Sequence, residues 1–419
     1  MVAAVLGVAT QGVPISEDRL RERFFVRRPV LDARQGAVGY ALELARPLAG
    51  SGADPVLRAM DDEKLLIGVV SLQVDGLLEG KTVFVAVTPE NLGGSVVAQM
   101  PLAQTVFCVS ADDLGTAVLA AGGEKGLRLA ADASGDAVLD PGQLRMAEIV
   151  RVDVSKADVS AMRKEMIEIQ LGRDIVFLAR HVEHDDMFEA CNRLGFALFE
   201  GRFFTRIQAN KPHRLDVGRL RVVELLDLAA REAPIADIER RFKDDPALSY
   251  RLLRYINSPA VGLRHTVKSI AHAITLLGYK PLYRWLTLLL YSAGRPAPRD
   301  AALLSHALIR ARFMETLAAP VVGRAEAEGI FITGIFSLLD ALLNAPMVEI
   351  LHRVNLPAPV TEALLADTGP YAAWLALARA CEDGDIDALA AGSENLGLTV
   401  AAVNQAHLAA VSYAHSVQR

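Results

Sequence analysis

The chain has 419 residues, 52% of them hydrophobic and 22% charged, with a formal charge of −6. That length predicts two or three domains, and the composition excludes disorder as the default state and supplies enough apolar residues for buried cores. Split at Arg206, the first part carries 22 basic and 29 acidic residues and the second 22 and 21, so neither has the basic excess that nucleic-acid binding requires.

Three cysteines, Cys108, Cys191 and Cys381, are odd in number and far apart. They predict core thiols in a reducing cytoplasm and no disulfide framework. The N-terminal stretch is apolar but has no basic lead-in, and no run approaches the roughly 18 apolar residues of a membrane span. A cytoplasmic protein is expected.

From Phe24 to Phe204, short runs rich in Val, Phe and Leu alternate with helix-like segments, as buried parallel strands should. The predicted strands are Arg23–Pro29, Val38–Leu44, Thr82–Val87, Thr105–Ser110, Gly126–Asp132, Glu148–Val154, Asp174–Arg180 and Phe196–Gly201. The first connection is short enough for a hairpin. Helices are predicted at Asp61–Leu78, Asp112–Ala121 and Asp185–Leu194, each opening near an Asp that favours the positive end of the helix. Eight strands predict an α/β fold of the (β/α)8, TIM-like type, with any site at the C-terminal strand ends. An open doubly wound sheet is the competing fold, but no Gly-rich phosphate loop follows the first strand.

Those strand ends carry Glu43, Ala86, Ser110, Asp132, Asp153, Arg180 and Glu183. Two-metal hydrolysis of a phosphodiester needs several facing carboxylates or carboxamides, and three or four carboxylates is a thin set. The HVEHDD stretch, His181 to Asp186, reads either as a metal cluster or as a strand-to-helix loop in which Asp185 caps the next helix; zinc would need a further ligand that no distant Cys/His pair supplies.

The segment FFVRRPVLDARQGAVGYALELAR resembles the opening of the EAL domain of cyclic-di-GMP phosphodiesterases. FVAVTPENL, RVDVS and FLARHVEHDDMFEACNRLGFALFEGRFF are similar to its later motifs, in the same order. By that resemblance Glu43, or Leu42 in the neighbouring register, stands at the signature Glu, and Ala86 stands where a metal-binding Asn belongs. Asp132 remains of a pair of aspartates, with Ala133 in place of the second. Arg151 replaces a Lys beside a retained Asp153, Arg180 replaces a Glu, Glu183 matches the last Glu, and Glu200 replaces a Gln. The resemblance implies a barrel without catalytic residues and without hydrolysis, with neither cyclic-di-GMP nor Mg expected as a cofactor. Asp132 and Asp153 are expected to cap helices or to pair with Arg151 and Arg180. Arg27, Arg28, Arg151 and Arg180 are the cations that could face phosphates if the nucleotide still binds.

Past a polar stretch, QANKPHRLD, the pattern turns helical. Helices are predicted at Leu220–Arg231, Ile235–Lys243, Asp245 to Ile256, Ser269–Leu277, Pro281–Tyr291, Ala301–Ala319, Gly329–Asn344 and Met347–Val354, followed by three or four shorter ones. Asp245 with Pro246 starts one helix, whose stripe of Leu248, Leu252 or Leu253, and Ile256 faces a core while Tyr250, Arg251 and Arg254 turn elsewhere. Trp285, with Leu286, Leu289 and Leu290, is assigned to the core. The expected organisation is an extension over 1–22, the barrel over 23–207, a linker over 208–214 and an all-α bundle over 215–419.

DPAL, LLR, NSP and the later LLG follow one another as in the HDOD domain, a relative of metal-dependent HD phosphohydrolases, and the resemblance is strongest over 215–354. It places His306 at the first HD histidine and Ser337 and Leu338 at the His-Asp pair, so no metal is expected there. The two resemblances together imply a bacterial EAL-HDOD signalling protein. The expectation is a non-enzymatic regulator acting through protein partners, in pathways such as motility or biofilm control, and able to self-associate. The alternative is a cyclic-di-GMP receptor that does not hydrolyse its ligand.

Overall fold

A computed structural model describes residues 24–44, 62–70, 80–120, 126–133, 146–155, 162–170, 174–208, 217–258, 261, 266–293, 297–352, 354 and 356–418. The expected N-terminal extension, most of the linker and Pro259 of the NSP motif lie outside them.

Eight strands close into a barrel: β1 Phe25–Asp32, β2 Ala37–Leu44, β3 Thr82–Ala86, β4 Thr105–Ser110, β5 Arg128–Ala133, β6 Ile149–Asp153, β7 Val176–Arg180 and β8 Leu198–Glu200. The open sheet is excluded. β1 runs antiparallel to both of its neighbours, β2 and β8, while β2 through β8 are parallel. β1 is also longer than expected, reaching Asp32, whose carboxylate accepts from the N–H groups of Arg34 and Gly36 and so turns the hairpin.

Side chains alternate along each strand, and Val30, Ala41, Phe84, Val106, Cys108, Ala130, Ile149 and Leu178 fill the barrel's interior. Two residues further along β2, β5, β6 and β7 stand Glu43, Asp132, Arg151 and Arg180. Because β1 is reversed, Arg28 lies two residues before Val30 and reaches the same end. A layer of charge therefore sits on top of a layer of hydrocarbon.

Of the predicted barrel helices, residues 62–70 are helical, and helices also occupy Leu114–Ala120 and Asp185–Leu194. Asp185 does not cap the last of these. Its N-cap is His184, with no side-chain bond, and Asp185 and Asp186 lie in the first turn, where their charge suits the helix dipole.

Thirteen helices are described from Val217 onward. In Pro246–Ile256, Asp245 Oδ1 accepts from the N–H groups of Ala247 and Leu248 at 3.0 and 3.1 Å, and Leu248, Leu252 and Ile256 are buried as the stripe predicts. Ser269 caps Ile270–Leu277 through the N–H of His272. The helix expected over Gly329–Asn344 is two, Arg324–Phe336 and Leu339–Leu343, parted at Ser337 and Leu338. Trp285 is half-buried, its ring stacked on Tyr255 at 5.7 Å, so it stands at the core's margin.

By internal contacts the chain forms two compact units, one of residues 1–206 with 376–419 and one of residues 207–375. The bundle expected over 215–419 is thus divided, and its last helices belong with the barrel. The N–H of Phe25 donates to Asn404 Oδ1 at 2.9 Å, and the Phe25 ring packs edge-on against His407. No helix among the described residues is long and apolar enough to cross a membrane.

Candidate functional site

The charged layer at the barrel's mouth is one connected network. Arg28 holds Glu43 at 2.5 Å and Glu200 at 3.4 Å. Arg151 reaches Asp132 at 3.2 Å and Glu200 at 3.3 Å, and Arg180 lies 3.7 and 3.8 Å from the same two carboxylates. Three guanidiniums thus face three carboxylates. Of the two registers considered for the signature position, the inner face carries Glu43, while Leu42 is buried on the outer side. Ala133 is buried beside Asp132 and by alternation points away from the mouth.

Glu200 is the hub, with a side chain 1% exposed. Burial alone would push its carboxyl up, but Arg151, Arg180 and Arg28 together outweigh burial and hold it down to about 2. Arg151, 4% exposed, is displaced upward: burial works against its charge, and the carboxylates Asp132, Glu200 and Glu43 overcome it. Cys108 lies under this network, its thiol pushed up by burial to about 12, which leaves it an inert core group.

The remaining predicted residues lie apart from the hub. Asp153 sits beside Ser155 and His181. It accepts from the N–H and hydroxyl of Ser155 and lies 3.0 Å from His181 Nδ1, and these contacts outweigh burial to hold its carboxyl down. Glu183 is gripped by Arg202 at 2.8 Å and by Arg206 at 3.5 Å. Arg27 turns outward over the Tyr40 ring at 4.3 Å.

Arg202 and Asp383 escaped the sequence reading. Arg202 Nη1 donates to Asp383 Oδ2 at 2.7 Å, and Arg28 Nη2 to the Asp383 carbonyl at 3.3 Å. The turn after the helix Ala372–Asp383 therefore lies on the rim of the mouth. Gly384 there has φ 68°, and a Cβ at that position would stand 2.6 Å from Arg28 Nη2. No local signal marks a partner 355 residues away.

Two divalent cations do not fit this donor set. Ala86 offers a methyl at the end of β3, and Asp132 and Glu200 are each bound by guanidiniums in the place where cations would need them. Among the described residues no group of three or more His, Cys, Asp and Glu side chains is arranged to hold a metal ion. HVEHDD is a loop leading into a helix, His181 being left-handed at φ 58°.

In the helical unit, His306 is 8% exposed on the helix Pro298–Val322. One turn later on the same face, Arg310 Nη1 donates to Ser337 Oγ at 2.7 Å, and Ser337 in turn donates to the Gly334 carbonyl. Leu338 is buried beside them. Arg310 was also missed, although its spacing of four from His306 placed it there. A guanidinium again lies among residues matched to a metal site.

The HDOD domain model matches residues 219–349. The chain is 26% identical over 419 residues to the cyclic di-GMP phosphodiesterase CdgJ of Vibrio cholerae, covering 96% of this chain and 95% of that protein. It is 26% identical over 383 residues to the uncharacterized protein YuxH of Bacillus subtilis, covering 87% and 91%. The FimX EAL domain from Pseudomonas aeruginosa, solved bound to c-di-GMP, aligns at 15% identity with a TM-score of 0.36, covering 48% of this chain and 94% of that one. Residues 219–349 thus match the HDOD domain, and an eight-stranded barrel precedes them.

Proposed function

We propose that this protein is a signal-transduction regulator without phosphodiesterase activity, working through contacts with protein partners. The observation that carries the reading is the bridging of Asp132 and Glu200 by both Arg151 and Arg180. A carboxylate held by two guanidiniums is a poor ligand for a divalent ion, and bringing two metals beside two arginines would add several like charges to a confined site. The rim contact of Asp383 with Arg28 and Arg202 supports the same reading, because it ties down the side of the mouth next to Glu43.

The relative named a cyclic di-GMP phosphodiesterase sets the competing reading. Binding without hydrolysis is the other: Arg28, Arg151 and Arg180 have the charge for it, but each already holds a carboxylate that a phosphate would have to displace. The test incubates the full chain with cyclic-di-GMP and Mg2+ or Mn2+, follows the linear dinucleotide by chromatography, and titrates binding calorimetrically. No linear product and no heat of binding are expected. Linear product above a metal-free control overturns the proposal, and binding without product replaces it with the receptor reading.

A further inference from the structure

The helical unit has an open groove of about 610 Å3 between the helices Pro246–Ile256 and Tyr279–Ser292. Its wall includes Tyr250, Arg251, Arg254, Tyr255 and Trp285, and no Asp or Glu. We propose that this groove is a binding site for a nucleoside phosphate, a planar base carrying an anionic group. The inference goes beyond the function proposed above and does not depend on the state of the barrel.

Size comes first: a groove of this volume has room for one small molecule lying partly in solvent. Charge is the second observation. Arginines of the barrel mouth, and Arg219 and Arg284 of the helical unit, are paired with carboxylates. Arg251 and Arg254 are not, among the described residues. Arg251 donates to the Ser292 carbonyl at 3.3 Å, and Arg254 lies 6.0 Å from the Tyr250 ring. Two guanidiniums without a counter-charge on one wall make a phosphate-binding pair, since their forked N–H groups match phosphate oxygens.

The aromatic groups supply the other half. Tyr255 and Phe242 pack against the Trp285 ring, which fixes it in place, while Tyr250 is 64% exposed. In that position the ring stays mostly in water, with Arg254 over its face. Stacked on a base it recovers the burial, and Arg254 beside it is positioned for the phosphate. Leu248, Leu252 and Ile256 anchor the same helix in the core, so the wall that presents these groups is rigid.

The chain has two tryptophans, and Trp374 is buried, so a ligand in the groove acts on Trp285 emission. The full chain is titrated with GMP, with AMP and separately with inorganic phosphate, following tryptophan fluorescence and calorimetric heat. A saturable change with the nucleotides is expected, weakened about tenfold or more in the Arg251→Glu/Arg254→Glu double variant and weakened in Tyr250→Ala. Arg180→Ala in the barrel is expected to bind as the parent does, which separates this site from the mouth. All the substituted helix positions are exposed or half-buried, and unchanged far-ultraviolet dichroism verifies the fold. Absence of saturation with GMP and AMP into the millimolar range overturns the proposal. So does parent-like affinity in the double variant, or inorganic phosphate binding as tightly as GMP with no dependence on Tyr250.

Discussion

Replacing Glu200 by Gln keeps the side chain's volume and one carbonyl acceptor, removes the charge, and turns the second acceptor into an N–H donor facing a guanidinium. The parent network balances Arg28, Arg151 and Arg180 against Glu43, Asp132 and Glu200, and the variant leaves one buried positive charge uncompensated. Breaking a buried pair in this way costs about 3 to 5 kcal/mol. The titration of the carboxyl gives a second route to the magnitude. A group that titrates near 4.5 in the unfolded chain and at about 2 in the folded one contributes about 3 kcal/mol at neutral pH. Because the folded value is the depressed one, that contribution is complete above pH 4.5 and is lost as the pH falls through about 2. The assay is urea denaturation followed by circular dichroism at neutral pH and at intervals down to the acid limit. Glu200→Gln is expected to lower stability by about 3 kcal/mol at pH 7, near 10 °C in melting temperature, and to flatten the acid dependence. Glu43→Gln, at a site 30% exposed, is expected to lose under about 1 kcal/mol because solvent screens its pair. A Glu200→Gln variant within about 1 kcal/mol of the parent, with the same acid dependence, would refute the buried network as a source of stability.

Other substitutions test the packing. Gly201 follows Glu200 with φ 151°, and a Cβ there would stand 2.1 Å from the Val182 carbonyl oxygen. Gly201→Ala is therefore expected to destabilise the barrel by at least about 1 to 3 kcal/mol, read as a shift in the denaturation midpoint. Leu252→Asp places a carboxylate at a fully buried position and removes a core leucine, and calorimetry is expected to show loss of the helical unit's cooperative melting. An unchanged melting profile would show that this helix does not face the core.

The elements and their caps were legible in the sequence because local chemistry decides them. Strand periodicity marked all eight barrel strands, and Asp245 with Pro246 started its helix because that side chain satisfies N–H groups two and three residues away. Asp185 shows the limit: an acidic residue near a helix start suits the dipole whether or not it makes the cap. The resemblance singled out Glu43, Asp132, Arg151, Arg180 and Glu200, and alternation in the closed barrel turns Glu43, not Leu42, to the inner face.

By itself, then, the sequence determined where most strands and helices lie, since these depend on residue identity and near neighbours. Only the tertiary structure decided the pairing. Arg151 could have met any carboxylate at the mouth, and barrel closure brings it to Asp132 and Glu200 and sends Asp153 to Ser155 and His181. The same holds for Asp383, which reaches Arg28 and Arg202 because the helices after residue 376 pack with the barrel. Long-range ion pairs leave no trace in spacing, because their energy depends on distance through space and on burial, and folding alone sets both.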